Sequence, residues 1–140
     1  MFTVLEINTT TYGRQYAVIG EDGKIVELPC KFLKHLWLTG KSPYTQRGYA
    51  YALKLFSEYL ESIHLNYTDV SMHHLSSFLE WLHSPLPSSK IIELSQIGFI
   101  RSPRTINTYI AAVMSFYRYL FAAGYTQTDF DKKYLKHLAP

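Results

Sequence analysis

Two segments of this chain share the pattern basic-Ser-Pro-x-Thr, and each precedes a long run with helical periodicity. The first is Lys41-Ser42-Pro43-Tyr44-Thr45, and the second is Arg101-Ser102-Pro103-Arg104-Thr105. Serine is a favoured N-cap residue because its hydroxyl accepts a hydrogen bond from a free amide of the first turn. Proline at the first helical position has a preset φ and lacks an amide that would otherwise go unpaired. The two motifs therefore mark where two helices begin, and they predict a mainly helical fold.

Apolar residues recur at three- and four-residue steps after both motifs, as expected for amphipathic helices. The pattern predicts long helices over residues 43–64 and 103–123, with Gly124 ending the second, and a shorter helix that starts near Ser71. The predicted buried stripes of these three helices are Tyr49, Leu53, Phe56, Leu60 and Ile63; Met72, Leu75, Phe78, Leu79 and Leu82; and Ile106, Tyr109, Ile110, Val113, Phe116, Tyr117, Leu120 and Phe121.

The flanking segments complete the predicted architecture. Residues 2–7 and 15–19 are rich in β-formers, and the Asp-Gly turn at 21–24 predicts a hairpin with 25–28 as the partner strand. A helix is expected over 30–38 after Pro29, a long loop over 84–102 and a short helix over 130–138. The expected fold is a bundle of four to five helices preceded by an N-terminal β-hairpin or small sheet.

Charge is unevenly distributed along the 140 residues, although the net charge is only +3. No acidic residue lies between Glu27 and Glu58 or between Glu93 and Asp129, whereas residues 58–93 carry five acids and one lysine. Two basic blocks that flank an acidic one suit a protein that lays two segments on a polyanion and keeps a third away from it.

The composition also excludes several classes of protein. The one cysteine, Cys30, cannot form an internal disulfide, and we expect it to be a small buried side chain. No apolar run approaches the roughly 18–20 residues of a membrane span, and residues 1–10 lack the basic start and apolar stretch of a signal peptide. We expect a soluble, cytoplasmic protein.

Cations stand at both predicted helix starts, where acidic residues would be stabilising because a helix N-terminus carries partial positive charge. Lys41 and Arg47 flank the first start, and Arg101 and Arg104 flank the second. Free amides, hydroxyl groups and cations together suit a phosphate. The alternative is that two helices merely share a common cap and that the cations lie there by chance.

If the helix starts hold a DNA backbone, side chains one to three turns further along can reach base edges in the major groove. Small residues such as Ala111 would let the helix lie close, Asn107 suits adenine and Arg47 suits guanine. The predicted DNA-binding residues are Lys41, Ser42, Thr45, Arg47, Tyr51, Lys54, Arg101, Ser102, Arg104, Thr105, Asn107, Thr108, Ser115 and Arg118.

The run Phe32-Leu33-Lys34-His35-Leu36, followed by the first Ser-Pro motif and Tyr59-Leu60, resembles the start of the core-binding, SAM-like domain of phage-integrase-type tyrosine recombinases. Ser102-Pro103-Arg104-Thr105-Ile106-Asn107 with Phe116-Tyr117-Arg118-Tyr119-Leu120 resembles its later part, and the hairpin is similar to the front of integrases and transposases of that group.

The resemblance implies a SAM-like bundle that forms half of a clamp on double-stranded DNA and contacts other recombinase protomers. It implies a role in DNA integration, excision or transposition, with no small-molecule substrate, cofactor or metal. In the family a separate C-terminal domain carries the catalytic residues, and nothing before Pro140 resembles its His-x-x-Arg motif. We therefore expect a DNA-binding fragment that is not itself an enzyme, with a hairpin region at 1–29 and a helical DNA-binding domain at 30–140.

Other functions compete with this interpretation. A helical protein-interaction module without DNA binding would also use an aromatic-rich surface, and a stand-alone enzyme is a third possibility, although no catalytic constellation is visible. A metal site is not expected, because the adjacent His73 and His74 diverge on a helix and the remaining histidines lack partners at ligand spacing.

Overall fold

The computed structural model describes residues 1–11, 13–83 and 101–131, which form a two-stranded sheet and a bundle of helices. In chain order the elements are β1 (Thr3–Thr9), β2 (Gly13–Ile19), α1 (Glu27–Leu38), α2 (Pro43–Ser62), a short 3-10 turn (Tyr67–Asp69), α3 (Met72–His83) and α4 (Pro103–Ala122). The predicted loop at 84–102 and helix at 130–138 lie largely outside the described residues. Within those residues, no helix has both the length and the apolar character needed to cross a membrane.

The N-terminal hairpin joins β1 to β2, which differs from the predicted pairing across residues 21–24. The two strands are antiparallel without interruption from the Thr3–Ile19 pair to the Thr9–Gly13 pair. The Asp-Gly turn does form, with Gly23 at φ 79°, but the chain after it makes only one bridge, from Ile25 to Ile19. The predicted third strand is wrong because the helix α1 begins two residues later.

Helix α1 begins at Glu27, so Pro29 lies inside its first turn instead of before it. Proline is tolerated there because the first amides of a helix have no intrahelical partner. Cys30 connects this helix to the sheet: its Sγ accepts from the Val18 amide at 3.4 Å and donates to the Val18 carbonyl at 3.5 Å. Cys30 is half-buried, and this hydrogen bonding was not expected from the sequence.

The two long helices begin where the Ser-Pro motifs place them and end slightly earlier than predicted. Helix α2 ends at Ser62 because His64 adopts a left-handed φ of 53° and the Leu65 amide turns back to the Leu60 carbonyl at 3.0 Å. The centres of the predicted stripes are buried, whereas Ile63, Leu79 and Phe121 are about two-fifths exposed. Four other stripe residues are half-buried, namely Tyr49, Met72, Tyr109 and Ile110.

Aromatic rings fill the centre of the bundle. Phe56 of α2 contacts Phe78 of α3 and Tyr117 of α4 edge-on, at centroid distances of 5.0 and 5.8 Å. Phe32 of α1 contacts Phe116 of α4 at 5.6 Å. Edge-to-face geometry suits the ring quadrupoles and adds to the energy of apolar burial. The high tyrosine and phenylalanine content therefore builds the core that joins the four helices.

Buried hydroxyl groups tie the same helices together. Tyr117 donates a hydrogen bond to the Tyr67 carbonyl at 2.7 Å, while the Tyr67 hydroxyl contacts the Ser57 hydroxyl. Burial raises the pKa of Tyr67 to about 12, although the hydrogen bond to Ser57 acts in the opposite direction. Burial also raises the pKa of Tyr117 well above its ordinary value. The network fixes the turn before α3 against α2 and α4.

Candidate nucleic-acid interface

The two Ser-Pro motifs form the same cap at the starts of α2 and α4. Ser42 accepts from the Thr45 amide at 3.1 Å and donates to the Thr45 hydroxyl at 3.1 Å. Ser102 accepts from the Thr105 amide at 3.2 Å and donates to the Thr105 hydroxyl at 3.1 Å. The threonine stands at the position of the Glu or Gln of an ordinary capping box, but its hydroxyl accepts from the serine hydroxyl instead of from the N-cap amide. Neither first turn contains an acidic residue, so its positive end is not compensated by its own helix.

Three of the predicted cations at these helix starts are free to bind an anion. Lys41, Arg47 and Arg104 are exposed and form no ion pair within the part of the chain that the structure describes. The Arg47 guanidinium lies 4.9 Å from the centre of the Tyr51 ring, which orients it along the outer face of α2. Arg101 differs, because its Nη1 donates to the Leu82 carbonyl at 3.2 Å and caps the end of α3.

Helix α4 presents one continuous polar stripe to solvent. Steps of three and four residues place its members on one helix face, and all are exposed except the half-buried Ser115. None is acidic, none is a large apolar residue, and an arginine stands near each end. The stripe consists of Arg104, Asn107, Thr108, Ala111, Ser115, Arg118 and Ala122. Such a face can lie close to a polyanion and offer it hydrogen-bonding groups.

An open groove brings the start of α2 beside the last turns of α4. Its lining includes Lys41 and Tyr49, then Ser115, Arg118 and Tyr119 of α4, together with residues of α1. Three predicted site residues (Lys41, Ser115 and Arg118) therefore meet around one aromatic floor. The sequence alone did not place them together, since more than seventy positions separate Lys41 from the other two.

The two serine caps lie at opposite ends of α4. Lys41, next to Ser42, lines the same groove as Ser115, whereas Arg101, next to Ser102, lies 5.9 Å from the Trp81 ring at the end of α3. From Ser102 to Ser115 the helix rises by roughly 20 Å at about 1.5 Å per residue. The caps therefore cannot share one phosphate, and the polar stripe of α4 lies between them.

Two predicted cations are occupied by acidic side chains. Nζ of Lys54 lies 4.0 Å from Oε2 of Glu58, one turn along α2, where the helix surface becomes acidic. Nε of Arg118 lies 2.7 Å from Oδ2 of Asp131, and its Nη1 donates to the Ser115 hydroxyl at 3.3 Å. Both cations must exchange a carboxylate for any phosphate that they bind.

Two further features of this surface were missed in the sequence. Tyr44, in the first turn of α2, is 86% exposed, and the motif that contains it gave no reason to single it out. Gly48 lies in the second turn of α2, where a Cβ would meet no atom within 4 Å. Glycine costs about 1 kcal/mol relative to alanine in a helix. A glycine inside a predicted helix could therefore have drawn attention to this surface in the sequence. It keeps the surface between Tyr44 and Tyr51 low.

No group of three or more His, Cys, Asp or Glu side chains suitable for a metal occurs in residues 1–11, 13–83 and 101–131. The adjacent histidines have other contacts: Nδ1 of His74 accepts from the Ser71 amide at 2.9 Å, and the His73 ring packs edge-on against it. His74 therefore caps the start of α3.

Comparison with protein families gives one match over most of the chain. The matching family is described as the phage integrase, N-terminal SAM-like domain, and it covers residues 30–124. Both helix starts and the whole of α4 lie inside this range, whereas β1 and β2 lie outside it.

Curated relatives support the same grouping. The chain is 37% identical over 109 residues to transposase A from transposon Tn554 of Staphylococcus aureus, with the same identity for the proteins of strains Mu50 and N315. The alignment covers 78% of this chain but only 30% of each relative. No solved structure matches the chain.

Proposed function

The chain belongs to the phage integrase N-terminal SAM-like family, and on this basis we propose that it binds double-stranded DNA through the polar stripe of α4 and the start of α2. The stripe is the observation that carries the proposal. It offers a full helix face without an acid, with small or hydrogen-bonding side chains between Arg104 and Arg118. A major groove about 12 Å wide admits an α-helix, and such side chains suit its base edges.

The residues divide into two roles in this proposal. Lys41, Arg47 and Arg104, with the free amides of the two helix starts, bind backbone phosphates on either side of the stripe. Asn107 and Ser115 face the bases, and Ala111 between them allows close approach. The remaining predicted contacts at or beside the two helix starts (Ser42, Thr45, Tyr51, Ser102, Thr105 and Thr108) shape these surfaces. Lys54, Arg101 and Arg118 contribute less, because each already holds another protein group.

Membership of the family supports a wider role. We propose that this domain positions a tyrosine recombinase on its recombination site during integration, excision or transposition, and that a separate catalytic domain performs strand cleavage. Other protomers on the same DNA are its expected partners. The chain spans 30% of the length of the transposases that it matches, which leaves ample length for such a domain in those proteins. We also propose that the hairpin region at 1–29 has a role apart from this DNA-binding part, although α1 already begins at Glu27, two residues before that boundary.

Duplex binding measured by fluorescence anisotropy tests the proposal. With about 3–5 phosphates neutralised, the slope of log affinity against log salt should be roughly −3 to −4.5. Lys41→Glu and Arg104→Glu should each weaken binding to a random-sequence duplex at least about tenfold, since each turns a phosphate contact into a repulsion. Neither should lower thermal stability, because an acid at a helix start is favourable.

Lys24→Glu is the matched control, because Lys24 is exposed in the hairpin turn and the change in net charge is the same. It should weaken binding far less than the other two. Equal losses of DNA affinity in all three variants would mean that binding depends only on the net charge of the protein. The proposed interface would then be wrong. If no duplex binds even at low salt, the DNA-binding proposal is wrong and the alternative of a protein-interaction module is favoured.

Sequence specificity requires a separate measurement. Asn107→Ala should reduce the preference for sites selected from a randomised duplex pool while leaving the salt slope unchanged, because an amide that pairs with a base edge neutralises no phosphate. An unchanged preference would remove Asn107 from the base-reading residues.

A further inference from the structure

The outer edge of the hairpin has no partner strand in the part of the chain that the structure describes. Strand β1 pairs with β2 in a sheet of two strands, and within the described residues no other segment pairs with its second edge. From Thr3 to Asn8 no outward backbone group has a backbone partner in that part of the chain. Helices α1 and α2 pack mainly against β2, and only Val4 of the strand β1 is half-buried. Among residues 1–11, 13–83 and 101–131, no strand therefore covers this edge.

This edge lacks the features by which proteins usually protect strand edges, which are lysine, proline, a bulge or a very short strand. Strand β1 is seven residues long, and its pairing with β2 is unbroken. Its one charged side chain is Glu6, whose carboxylate accepts a hydrogen bond from the Tyr16 hydroxyl at 3.0 Å. Nothing on the strand opposes the addition of another strand.

The face of the hairpin that points away from the core is apolar next to this edge. Leu5 and Ile7 alternate onto that face and are 46% and 42% exposed. The Thr3–Ile19 pair and the Ile19–Ile25 bridge continue the face across the sheet, and Ile25 is 62% exposed. A free backbone edge beside exposed apolar side chains is the arrangement that recognises an extended segment by strand addition.

We propose that β1 pairs antiparallel with β1 of a second copy of this chain, with the two Leu5 residues opposite each other. A two-fold axis lets the same surface serve both copies. Two residues that face each other across antiparallel strands have their side chains on the same side of the sheet. The two-fold axis must therefore place one residue of β1 directly opposite the same residue of the second copy. An axis at Glu6 would oppose two carboxylates, which is destabilising.

An axis at Leu5 is favoured over one at Ile7 by the rows of side chains that each creates. With Leu5 at the axis, Thr3 faces Ile7 of the second copy, and the row continues through Ile19 and Ile25. With Ile7 at the axis, Leu5 would instead face the threonine that pairs with Gly13 at the polar turn. Only the first arrangement joins the apolar faces of the two hairpins.

The resulting contact is weak. It pairs residues 3–7 of each copy, which is far less than the roughly 1,200–2,000 Å² buried by stable interfaces. We therefore expect a monomer at micromolar concentration and association at high local concentration. This inference does not depend on DNA binding, since the hairpin lies outside the polar stripe and both can be measured without the other.

Disulfide trapping of the full chain at high concentration tests the pairing. In a Cys30→Ser background, Leu5→Cys should form a covalent dimer, because the two cysteines face each other directly. Ile7→Cys is the matched control, since Ile7 shares the strand, the face and nearly the same exposure. In the proposed register its two copies are about 14 Å apart, beyond the Cα separation of about 7 Å that a disulfide spans.

Faster trapping of Leu5→Cys than of Ile7→Cys supports the pairing, and equal or reversed rates overturn it. A second measurement uses the native strand: amide chemical shifts of residues 3–7 should change on dilution in the parent chain. In Leu5→Lys, which adds a protective edge lysine, these shifts should not change. Concentration-independent shifts in the parent would also overturn the proposal.

Discussion

The ion pair between Arg118 and Asp131 leads to a prediction about how strongly this domain holds DNA. The Asp131 carboxylate accepts from Nε of Arg118 at 2.7 Å, at one end of the polar stripe. A phosphate that binds this guanidinium must displace the carboxylate. Asp131→Asn keeps the shape of the competitor but removes its charge, so the variant should bind a duplex more tightly than the parent.

The size of the gain follows from the exposure of the pair. The Arg118 and Asp131 side chains are 57% and 41% exposed, so solvent screens their attraction. Exposed ion pairs contribute about 0.2–1 kcal/mol, which corresponds to a rise in affinity of about 1.4- to 5-fold. Anisotropy titration at fixed low salt resolves this range, and the gain should shrink as salt screens the pair.

Two controls separate this competition from a general change in net charge. Asp22→Asn in the hairpin turn alters the net charge equally, away from the stripe, and should change affinity less. In an Arg118→Gln background, Asp131→Asn should give no gain, because the cation that it releases is absent. A gain that persists without Arg118, or one matched by Asp22→Asn, would refute the displacement of Asp131 by phosphate.

Three further predictions concern stability. Ser42→Ala and Ser102→Ala should each lower the free energy of unfolding by about 1 kcal/mol, and the double variant should lose the sum in urea titrations because the caps are far apart. Tyr117→Phe should cost about 1–3 kcal/mol in the same assay, since it leaves the part-buried Tyr67 carbonyl without this donor. Stability should also fall at alkaline pH, because the pKa of Tyr67 is about 12 in the folded chain and about 10 in an unfolded one. The raised pKa stabilises the fold below pH 10, and this contribution of about 2–3 kcal/mol is lost as pH rises through 12. Tyr67→Phe should reduce that loss in pH-dependent urea titrations, and an unchanged pH profile would contradict the assignment to Tyr67.

Local rules predicted the helices well. A Ser-Pro cap is determined by neighbouring residues, so the starts of α2 and α4 match the motifs to the residue. Helical periodicity likewise identified their buried faces. The strand pairing was harder because β1 carries no strong turn signal toward β2, whereas Asp22-Gly23 does toward residues 25–28. The helix that begins at Glu27 then removed the residues that this turn would have paired.

The contacts made by the candidate site residues were harder to predict from the sequence than the helices. The sequence identified cations near the helix starts but not their partners, because partners come from distant elements. Arg101 and Arg104 are three positions apart in one motif, yet the first caps α3 and the second is exposed without an ion pair in the described residues. Arg118 likewise meets Asp131 only because the segment after α4 packs Phe130 against Tyr117, with ring centroids 4.9 Å apart.

The charges at the two helix starts favour binding at the expense of the isolated fold. A cation beside a helix N-terminus opposes the macrodipole, at a cost of about 0.3–1 kcal/mol per group at low salt. Lys41 and Arg104 stand at such positions, and no acid in either first turn offsets them. The polar stripe of α4 lies between these starts, so a duplex on the stripe would bring phosphates to both ends and relieve both costs. At these positions an acidic residue would be best for the stability of the helix, whereas a cation is best for binding phosphate. One residue cannot serve both purposes. A charge-reversed helix start that gains stability while losing DNA is therefore the behaviour that distinguishes a phosphate-binding cap from a common structural one.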